Sequence, residues 1–271
     1  MDPREIDLAF MHSRIDVHKD KREFIMKFET TGKRIVLTGG TSGIGLELVK
    51  LLTPTAELVV VGRDINKLEQ LKTDFPNIST MVADFESRAS VEQAAADITS
   101  RFGSVDVLIN NAAMQYEPYF TSKDFDPDMI AREMDVNFTN VCYFILGLLP
   151  ALKKETPSAV LNIGSGLGLA AKPASAIYCA SKGALNIFSQ SLRYQLEETN
   201  ISVLQALLPM VATPMTEGRG SGKISADEAA GKILGGLHTL TPDNDIGKVR
   251  LLRRMLRIAP SVAYKIMRKA G

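Results

Sequence analysis

Hydrophobic and polar positions change their period repeatedly along the chain from residue 33 onward. Short runs rich in β-branched residues, such as KRIVLT and ELVVVG, alternate with longer segments in which apolar residues recur at helical spacing. We predict strands at residues 33–38, 57–62, 79–84, 105–111, 159–165 and 201–209, and residues 246–252 are a candidate for a seventh strand.

Helices are predicted in the intervals between these strands. They cover residues 44–52, a segment ending at Lys72, residues 90–102, residues 128–154 and the segment that carries YCASK. Strands that are apolar along nearly their whole length and alternate with helices are typical of a parallel sheet covered on both faces. The sequence therefore predicts a doubly wound α/β fold with a sheet of about seven strands.

The pattern indicates a single domain with an extension at each end. There is no internal repeat and no low-complexity linker, so we assign residues 26–245 to one domain. Residues 1–25 are polar with mixed charges, and an extra helix, a disordered arm and an upstream start site all fit them. Residues 246–271 hold the candidate last strand and a basic amphipathic tail.

The composition, with 45% hydrophobic and 23% charged residues, is that of a globular protein with a substantial core. Cys142 and Cys179 lie in apolar helical segments without metal-ligand spacing, so we expect reduced thiols, no bound metal and a cytoplasmic location. No apolar run reaches the length of a membrane span, and the N-terminal residues lack the apolar core of a signal peptide.

Charge is unevenly distributed, although the net charge is only +1. No acidic residue follows Asp245, but eight of the 32 basic residues do, which leaves 24 basic and 31 acidic residues elsewhere. The eight are Lys248, Arg250, Arg253, Arg254, Arg257, Lys265, Arg268 and Lys269. In RLLRRMLRI and SVAYKIMRK the basic and apolar residues occupy opposite helical faces. Such helices can lie on an anionic membrane or pack on the body or on a second subunit; we favour packing, and we expect no nucleic-acid partner.

The stretch LTGGTSGIG follows the first predicted strand and opens the first predicted helix. Gly39, Gly43 and Gly45 permit a tight turn and the close approach of a pyrophosphate to the backbone. The helix N-terminus then directs free N–H groups and its positive dipole end at that anion. A glycine-rich turn without a ligand is the plainer alternative, but the position between strand and helix favours a phosphate cradle.

Further motifs follow in order, and with this loop they resemble the short-chain dehydrogenase/reductase family over residues 31–215. NNAA begins at Asn110, Asn137 lies in DVNFTN, Ser165 ends the fifth strand, and YCASK carries Tyr178 and Lys182. The resemblance implies a single-domain Rossmann fold that transfers hydride between a nicotinamide cofactor and a carbonyl or secondary alcohol. It also implies a homo-oligomer that pairs through the two long helices.

The resemblance assigns roles to four residues. Tyr178 would be the general acid in reduction and the base in oxidation, Lys182 would lower its pKa and hold the nicotinamide ribose, and Ser165 would bond the substrate oxygen. Asn137 would hold a water in a proton relay. A free Tyr has a pKa of about 10, and lowering it by two units requires about 2.7 kcal/mol from the ammonium and the positive nicotinamide. Alternatively, Ser165 caps a loop, Asn137 satisfies backbone groups, and Tyr178 and Lys182 belong to an ordinary amphipathic stripe.

The cofactor residues follow from the same motifs. The end of the second strand carries Gly62 and Arg63 where dehydrogenases that prefer NAD usually have an acid, and an arginine fork suits a 2′-phosphate, so we favour NADP(H) over NAD(H). The loop after the sixth strand reads LPMVAT, without the family's Pro-Gly. The predicted contacts are Thr38, Gly39, Thr41, Ser42, Gly43, Ile44, Gly45, Arg63, Asp84, Asn110, Ala112, Tyr178, Lys182, Val211 and Thr213.

The substrate is less defined by the sequence. Met114, Leu167 and Met210 are candidates for the pocket and equally for the core, and Arg219 and Lys223 could meet an anionic group or be solvated. Two other functions stay open: a nicotinamide-binding regulatory protein without turnover, and a membrane-surface reductase of a lipid-like carbonyl.

Overall fold

The computed structural model describes residues 28–269, and its sheet of seven parallel strands confirms the predicted doubly wound fold. The expectations for residues 1–25 lie outside this range. The strands are β1 Arg34–Thr38, β2 Glu57–Gly62, β3 Ser79–Val82, β4 Val107–Asn110, β5 Ser158–Ser165, β6 Ile201–Leu208 and β7 Asp243–Asp245. The helices are α1 Gly43–Leu52, α2 Ile65–Asp74, α3 Arg88–Phe102, α4 Asp128–Met134, α5 Asn140–Leu152, α6 Ala176–Gln195, α7 Ala226–His238, α8 Lys248–Ile258 and α9 Pro260–Arg268.

Side chains of each strand alternate between two cores, one on each face of the sheet. In β1, Ile35 and Leu37 belong to the core that α1, α2 and α7 close, whereas Val36 belongs to the core that α3 and α5 close. Both faces of the sheet are therefore buried, which explains why the strands are apolar at nearly every position.

The order of the strands, β3-β2-β1-β4-β5-β6-β7, determines where a ligand can enter. The chain winds outward from β1 in one direction through β2 and β3, and in the other direction through β4 to β7. The loops that leave the carboxyl ends of β1 and β4 therefore separate and open a crevice between them, where doubly wound folds bind their ligands.

The seventh strand is not where the pattern placed it. β7 pairs with β6 through Asp243 and Asp245, and the predicted strand at residues 246–252 mostly lies in α8. Gly247, with φ of +58°, turns the chain between the two elements. After Gly247, apolar residues recur at the spacing of a helix. The segment therefore forms a helix and not the strand that its short apolar run suggested.

The long helix predicted at residues 128–154 consists of α4, a π-helical turn at Asp135–Thr139, and α5, without a break. Among the described residues, Asp128–Leu152 is the one helix that could span a membrane by length and apolar composition. Half of its apolar stretch is buried inside the protein, as is typical of a core helix.

Candidate active site

A cavity of about 820 Å³ lies at the carboxyl ends of the strands. Its wall begins at the loop after β1, passes Arg63 and Asp84 behind β2 and β3, reaches Ser165 at the end of β5, and finishes on α8 and α9. A large cavity with a mostly apolar wall and a few converging polar groups is typical of a ligand site.

The loop between β1 and α1 depends on its glycines. Gly39 and Gly43 have φ of +70° and +52°, a region that glycine adopts without strain. At Gly45 a methyl group would lie 2.0 Å from the carbonyl oxygen of Gly39. The loop therefore leaves a cradle of bare backbone at the N-terminus of α1, and this cradle fits the pyrophosphate of a dinucleotide. The wall here also includes Thr41, Ser42 and Ile44.

Two of the residues predicted as cofactor contacts, Thr38 and Asn110, are not among the residues that line the cavity. The buried Thr38 hydroxyl accepts hydrogen bonds of 3.0 Å from two backbone N–H groups of the loop after β4, and Asn110 donates to Asn162 at 2.8 Å. The wall instead contains Asn111, whose side-chain amide donates to the carbonyl oxygens of Thr38 and Gly39. Thr38 and Asn110 thus support the wall from behind, because β4 directs Asn110 into the sheet.

Ser165, Tyr178 and Lys182 lie together in the cavity wall. The Ser165 hydroxyl accepts the backbone N–H of Leu167 at 3.1 Å, and it lies near enough to the Tyr178 hydroxyl to lower the pKa of the phenol. The Lys182 ammonium donates to the carbonyl oxygen of Ile163 at 3.0 Å and lies 5.8 Å from the centre of the Tyr178 ring. A methyl group at Gly168 would lie 2.6 Å from the Lys182 carbonyl oxygen, so this glycine allows the turn after β5 to approach α6 closely.

Burial dominates the ionisation of these groups. It raises the pKa of Tyr178 to about 12, although the nearby Ser165 side chain lowers it. Burial also lowers the pKa of Lys182 to about 8, while the charge of Glu133 raises it. We expected Lys182 to lower the pKa of Tyr178, but in this structure the penalty of burial prevails. The phenol is therefore protonated at neutral pH and can donate a proton into the cavity.

Asn137 does not line the cavity, and its side chain is 1% exposed. Its amide group accepts a hydrogen bond from the N–H of Met114 and donates one to the carbonyl oxygen of Met114, both at 2.9 Å. It also donates to the Ser181 hydroxyl at 3.1 Å. Asn137 thus ties the loop after β4 to α6 from within the π-helical turn, a feature that is frequent at functional sites.

Glu133 is a buried acid that the sequence analysis did not single out. It precedes Asn137 by one helical turn, is 1% exposed, and accepts the backbone N–H of Tyr116 at 3.0 Å. Burial raises the pKa of Glu133 to about 7, and the charge of Lys182 lowers it. The available signal was its position at i−4 from Asn137, on the same helical face.

Replacing Glu133 by Gln is expected to remove a pH dependence of stability. The folded-state pKa is raised above the ordinary value, so the stabilisation from the protonated carboxyl is present below about pH 4.5 and lost as the pH rises through about 7. Over this range the wild-type free energy of unfolding should fall by about 2 kcal/mol relative to the variant, whose amide oxygen still accepts the Tyr116 N–H. Denaturant titrations across the range measure this, and parallel pH curves would contradict it.

The end of the cavity behind β2 and β3 carries two cations. Arg63 lines the wall, pairs with Glu86 at 3.0 Å, and has a side chain that is 66% exposed. Lys67 is a second basic residue in this wall. Asp64 accepts hydrogen bonds from two backbone N–H groups in the first turn of α2, so its carboxylate caps that helix. Asp84 lines the cavity as predicted and accepts the N–H of Glu86 at 3.0 Å.

The loop after β6 reaches across to the glycine loop despite its departure from the family pattern. Val211 and Thr213 line the cavity, and Val211 forms a parallel bridge with Ile224. The Thr216 hydroxyl donates to the carbonyl oxygen of Val211 and stabilises the turn. A methyl group at Gly43 would lie 3.1 Å from the Thr213 side chain, so the two loops are in contact range.

The remaining wall is largely apolar. Met114, Leu167 and Met210, which the sequence left equally open as pocket or core residues, all line the cavity. Leu252 and Met255 of α8 complete this wall, which the sequence analysis did not foresee. The sequence left open whether the apolar face of the C-terminal tail contacts a membrane, the body of the protein or a second subunit. In the structure, much of that face packs on the body.

A cluster of charged side chains borders this apolar region. Glu117 lies 3.6 Å from Lys172 and 3.3 Å from Arg219, and all three line the cavity. Arg219 is therefore paired rather than solvated. Lys223 does not line the cavity, and its ammonium donates to the carbonyl oxygen of Thr216. Of the two cations considered for an anionic substrate, only Arg219 lies at the site.

Solved structures resemble this fold closely. A short chain dehydrogenase from Burkholderia cenocepacia in complex with NADP matches with a TM-score of 0.80 and 23% identity, over 89% of this chain and 99% of the other. A short chain dehydrogenase/reductase from Burkholderia phymatum in complex with NAD matches with a TM-score of 0.77 and 19% identity, over 90% and 98%. At these identities, the likeness supports the fold.

Sequence relatives go further. An uncharacterized oxidoreductase, DltE, of Bacillus subtilis is 32% identical over 188 residues, which are 69% of this chain and 75% of the relative. A fatty acyl-CoA reductase of Acinetobacter baylyi is 29% identical over 251 residues, 88% and 79% of the two chains. The short chain dehydrogenase family profile matches residues 33–223. The chain therefore belongs to the short-chain dehydrogenase/reductase family of oxidoreductases.

Proposed function

We propose that the protein transfers hydride between NADP(H) and a carbonyl or secondary alcohol, with Tyr178 as general acid in reduction and general base in oxidation. The observation that carries this proposal is that Ser165, Tyr178 and Lys182 line one cavity together with the glycine cradle. The complexes of the two Burkholderia proteins with NADP and NAD support a nicotinamide cofactor.

Each residue contributes a defined chemical role. A bound nicotinamide cofactor supplies or accepts the hydride. Ser165 donates a hydrogen bond to the substrate oxygen, and Tyr178 delivers its proton to that oxygen as negative charge develops. Lys182 stabilises the phenolate that remains and contacts the nicotinamide ribose. Asn137 holds the loop after β4 beside α6. This contact would position the path along which a water returns a proton to Lys182.

A regulatory protein that binds nicotinamide without turnover is the weaker alternative. Such a protein needs the cradle but has no need for an acid and a hydrogen-bond donor that face the cavity together. In this protein Tyr178 supplies the acid and Ser165 supplies the donor. Both residues line the cavity, and the pKa of Tyr178 keeps the phenol protonated. Following nicotinamide absorbance with a panel of aldehydes, ketones and secondary alcohols distinguishes the two, since the regulatory protein would turn over none of them.

The preference for NADP(H) rests on the charge of the wall behind β2. Arg63 and Lys67 both line it. Asp64 lines it too, but one of its carboxylate oxygens caps α2 and the other lies 3.7 Å from the Lys67 ammonium, so its charge is shared with a cation. Arginine binds a phosphate with charge and fork geometry together. Glu86 holds Arg63 at this wall, and a 2′-phosphate would share that guanidinium.

Replacing Arg63 by Ala is expected to lower kcat/KM for NADPH about 10-fold, because one charge-assisted hydrogen bond at an exposed site is lost. The value for NADH should change little. Steady-state kinetics with both cofactors measures the ratio. Arg88→Ala is the matched control, since Arg88 is similarly exposed and paired with Glu92 but lies outside the cavity. An unchanged ratio in Arg63→Ala would remove the argument for NADP(H).

We also propose a cytoplasmic homo-oligomer that pairs through α5 and α6. These helices expose Leu146, Ile187 and Tyr194 at 62%, 63% and 64%. Large apolar side chains exposed on neighbouring helices are typical of a subunit interface. The two cysteines are unpaired, as in a reducing compartment. Light scattering of the intact chain measures the oligomeric state.

A further inference from the structure

The two C-terminal helices, α8 and α9, line the cavity with their inner side and expose their outer edge. Their inner side is part of the protein body: Val249 and Ala263 are buried at 3% and 0% exposure, and Leu252, Met255 and Met267 line the cavity. A methyl group at Gly166 would lie 3.1 Å from the Val249 side chain, so α8 rests on the turn that follows Ser165. These helices therefore form a wall of the site, close to the reacting groups.

Their outer edge is apolar and exposed. Leu251, Ile258, Val262 and Ile266, here called the apolar rim, are 59%, 84%, 50% and 51% exposed. Leu251 and Ile266 also line the cavity. The rim is thus continuous with the cavity wall through these two residues.

Cations flank the rim on both helices. Arg254 follows Leu251 by three positions and precedes Ile258 by four, and Lys265 and Lys269 each follow a rim residue of α9 by three. All three cations are exposed.

Arg254 lines a small second cavity with Asp243 and Asp245. These two acids, however, pair with Arg193 and Arg253. Within the described residues, none of the three cations forms an ion pair of its own. Apolar residues bordered by exposed cations match the boundary between acyl chains and anionic headgroups.

A second copy of the chain is a poor occupant for this surface. A two-fold interface places the same patch on both subunits, so both sides of the contact would be basic. Like charges at such a contact oppose binding. An anionic bilayer covers the apolar rim and neutralises the cations at the same time.

We propose that the apolar rim docks on a bilayer containing anionic lipids, and that the cavity takes a long-chain carbonyl compound from it. The docking proposal is supported by the exposed apolar rim and its neighbouring cations. The proposed substrate class also rests on the proposed function. The substrate's alkyl chain would lie along Leu252 and Met255, and its carbonyl would reach Ser165 and Tyr178.

Flotation of the intact chain with vesicles tests the docking. We expect binding to phosphatidylcholine mixed with phosphatidylglycerol, weakened at least 10-fold for phosphatidylcholine alone and reduced by high salt. The double substitution of Ile258 and Val262 by Ser, outside the cavity wall, should also weaken binding at least 10-fold. Ile65→Ser, at 55% exposure on α2, is the matched control and should bind like the wild type. Absent binding, equal binding to both vesicles, or an unaffected double variant would overturn the docking.

Chain-length dependence tests the substrate class without vesicles. We expect kcat/KM for dodecanal to exceed that for butanal by about 100-fold, because each buried methylene adds to binding. Leu252→Trp should occupy the space of the distal alkyl carbons and lower the ratio of the dodecanal value to the butanal value about 10-fold. Equal values for both aldehydes in the wild type would overturn the substrate class. If NADPH binds but neither aldehyde nor any other carbonyl is reduced, the proposed function fails with it, and flotation still decides the docking separately.

Discussion

Replacing Tyr178 by Phe is expected to lower kcat by about 1,000-fold or more, while the affinity for NADPH stays within about twofold. The substitution removes one oxygen atom and keeps the ring that packs in the cavity wall. The Tyr178 side chain lines the cavity together with Ser165, and its oxygen carries the proton that the proposed reduction needs. Steady-state turnover and a fluorescence titration with NADPH measure the two quantities separately.

Tyr194→Phe is the matched control for this experiment. Tyr194 lies on the same helix, is 64% exposed, and its hydroxyl accepts a hydrogen bond from Gln190 at 2.7 Å. Its loss should leave kcat unchanged. If Tyr178→Phe retained more than about a tenth of wild-type turnover, the proton would have to come from another group, and the proposed mechanism would fail.

The fold was largely predictable because burial on two faces leaves a direct trace in composition. Each strand of a doubly wound sheet is apolar at nearly every position, and the change of period at each helix marks the boundary. β7 was the exception. Three residues, Asp243–Asp245, are too short and too polar to leave such a trace, and they belong to the sheet because β6 offers them hydrogen-bond partners.

The site was predictable where a motif depends on local spacing. Ser165, Tyr178 and the glycine loop all line the cavity because strand ends and helix starts place them there. The direction in which a side chain points could not be predicted from motif spacing. Asn110 and Asn111 are neighbours of the same type, and only the pleat of β4 decides that the second one faces the loop after β1.

Glu133 and the C-terminal helices illustrate contacts that only tertiary structure creates. In sequence, Glu133 is an acid on a mixed helix, and the fold buries it against the N–H of Tyr116. The amphipathic pattern of the tail predicted two faces but not what the apolar face would cover. Because α8 packs on the turn after β5, that face becomes part of the cavity.

Replacing Gly45 by Ala is expected to lower the affinity for NADPH by at least about 100-fold, because the cradle cannot accept a side chain. The added methyl group would lie 2.0 Å from the carbonyl oxygen of Gly39 and 2.7 Å from the side-chain nitrogen of Asn111. A backbone atom at that distance cannot be avoided by a rotamer change, so the loop itself has to move. Since the same loop is the proposed pyrophosphate site, its displacement should remove binding.

A glycine with free space around it separates this effect from the general cost of a substitution. Gly231, in α7, has no atom within 4 Å of an added methyl group, so Gly231→Ala should leave NADPH affinity unchanged and raise stability by about 0.5–1 kcal/mol. Fluorescence titration and thermal unfolding of both variants give the comparison. If Gly45→Ala is folded and binds NADPH with wild-type affinity, the loop after β1 is not the cofactor cradle, and the assignment of the whole cavity would have to be reversed.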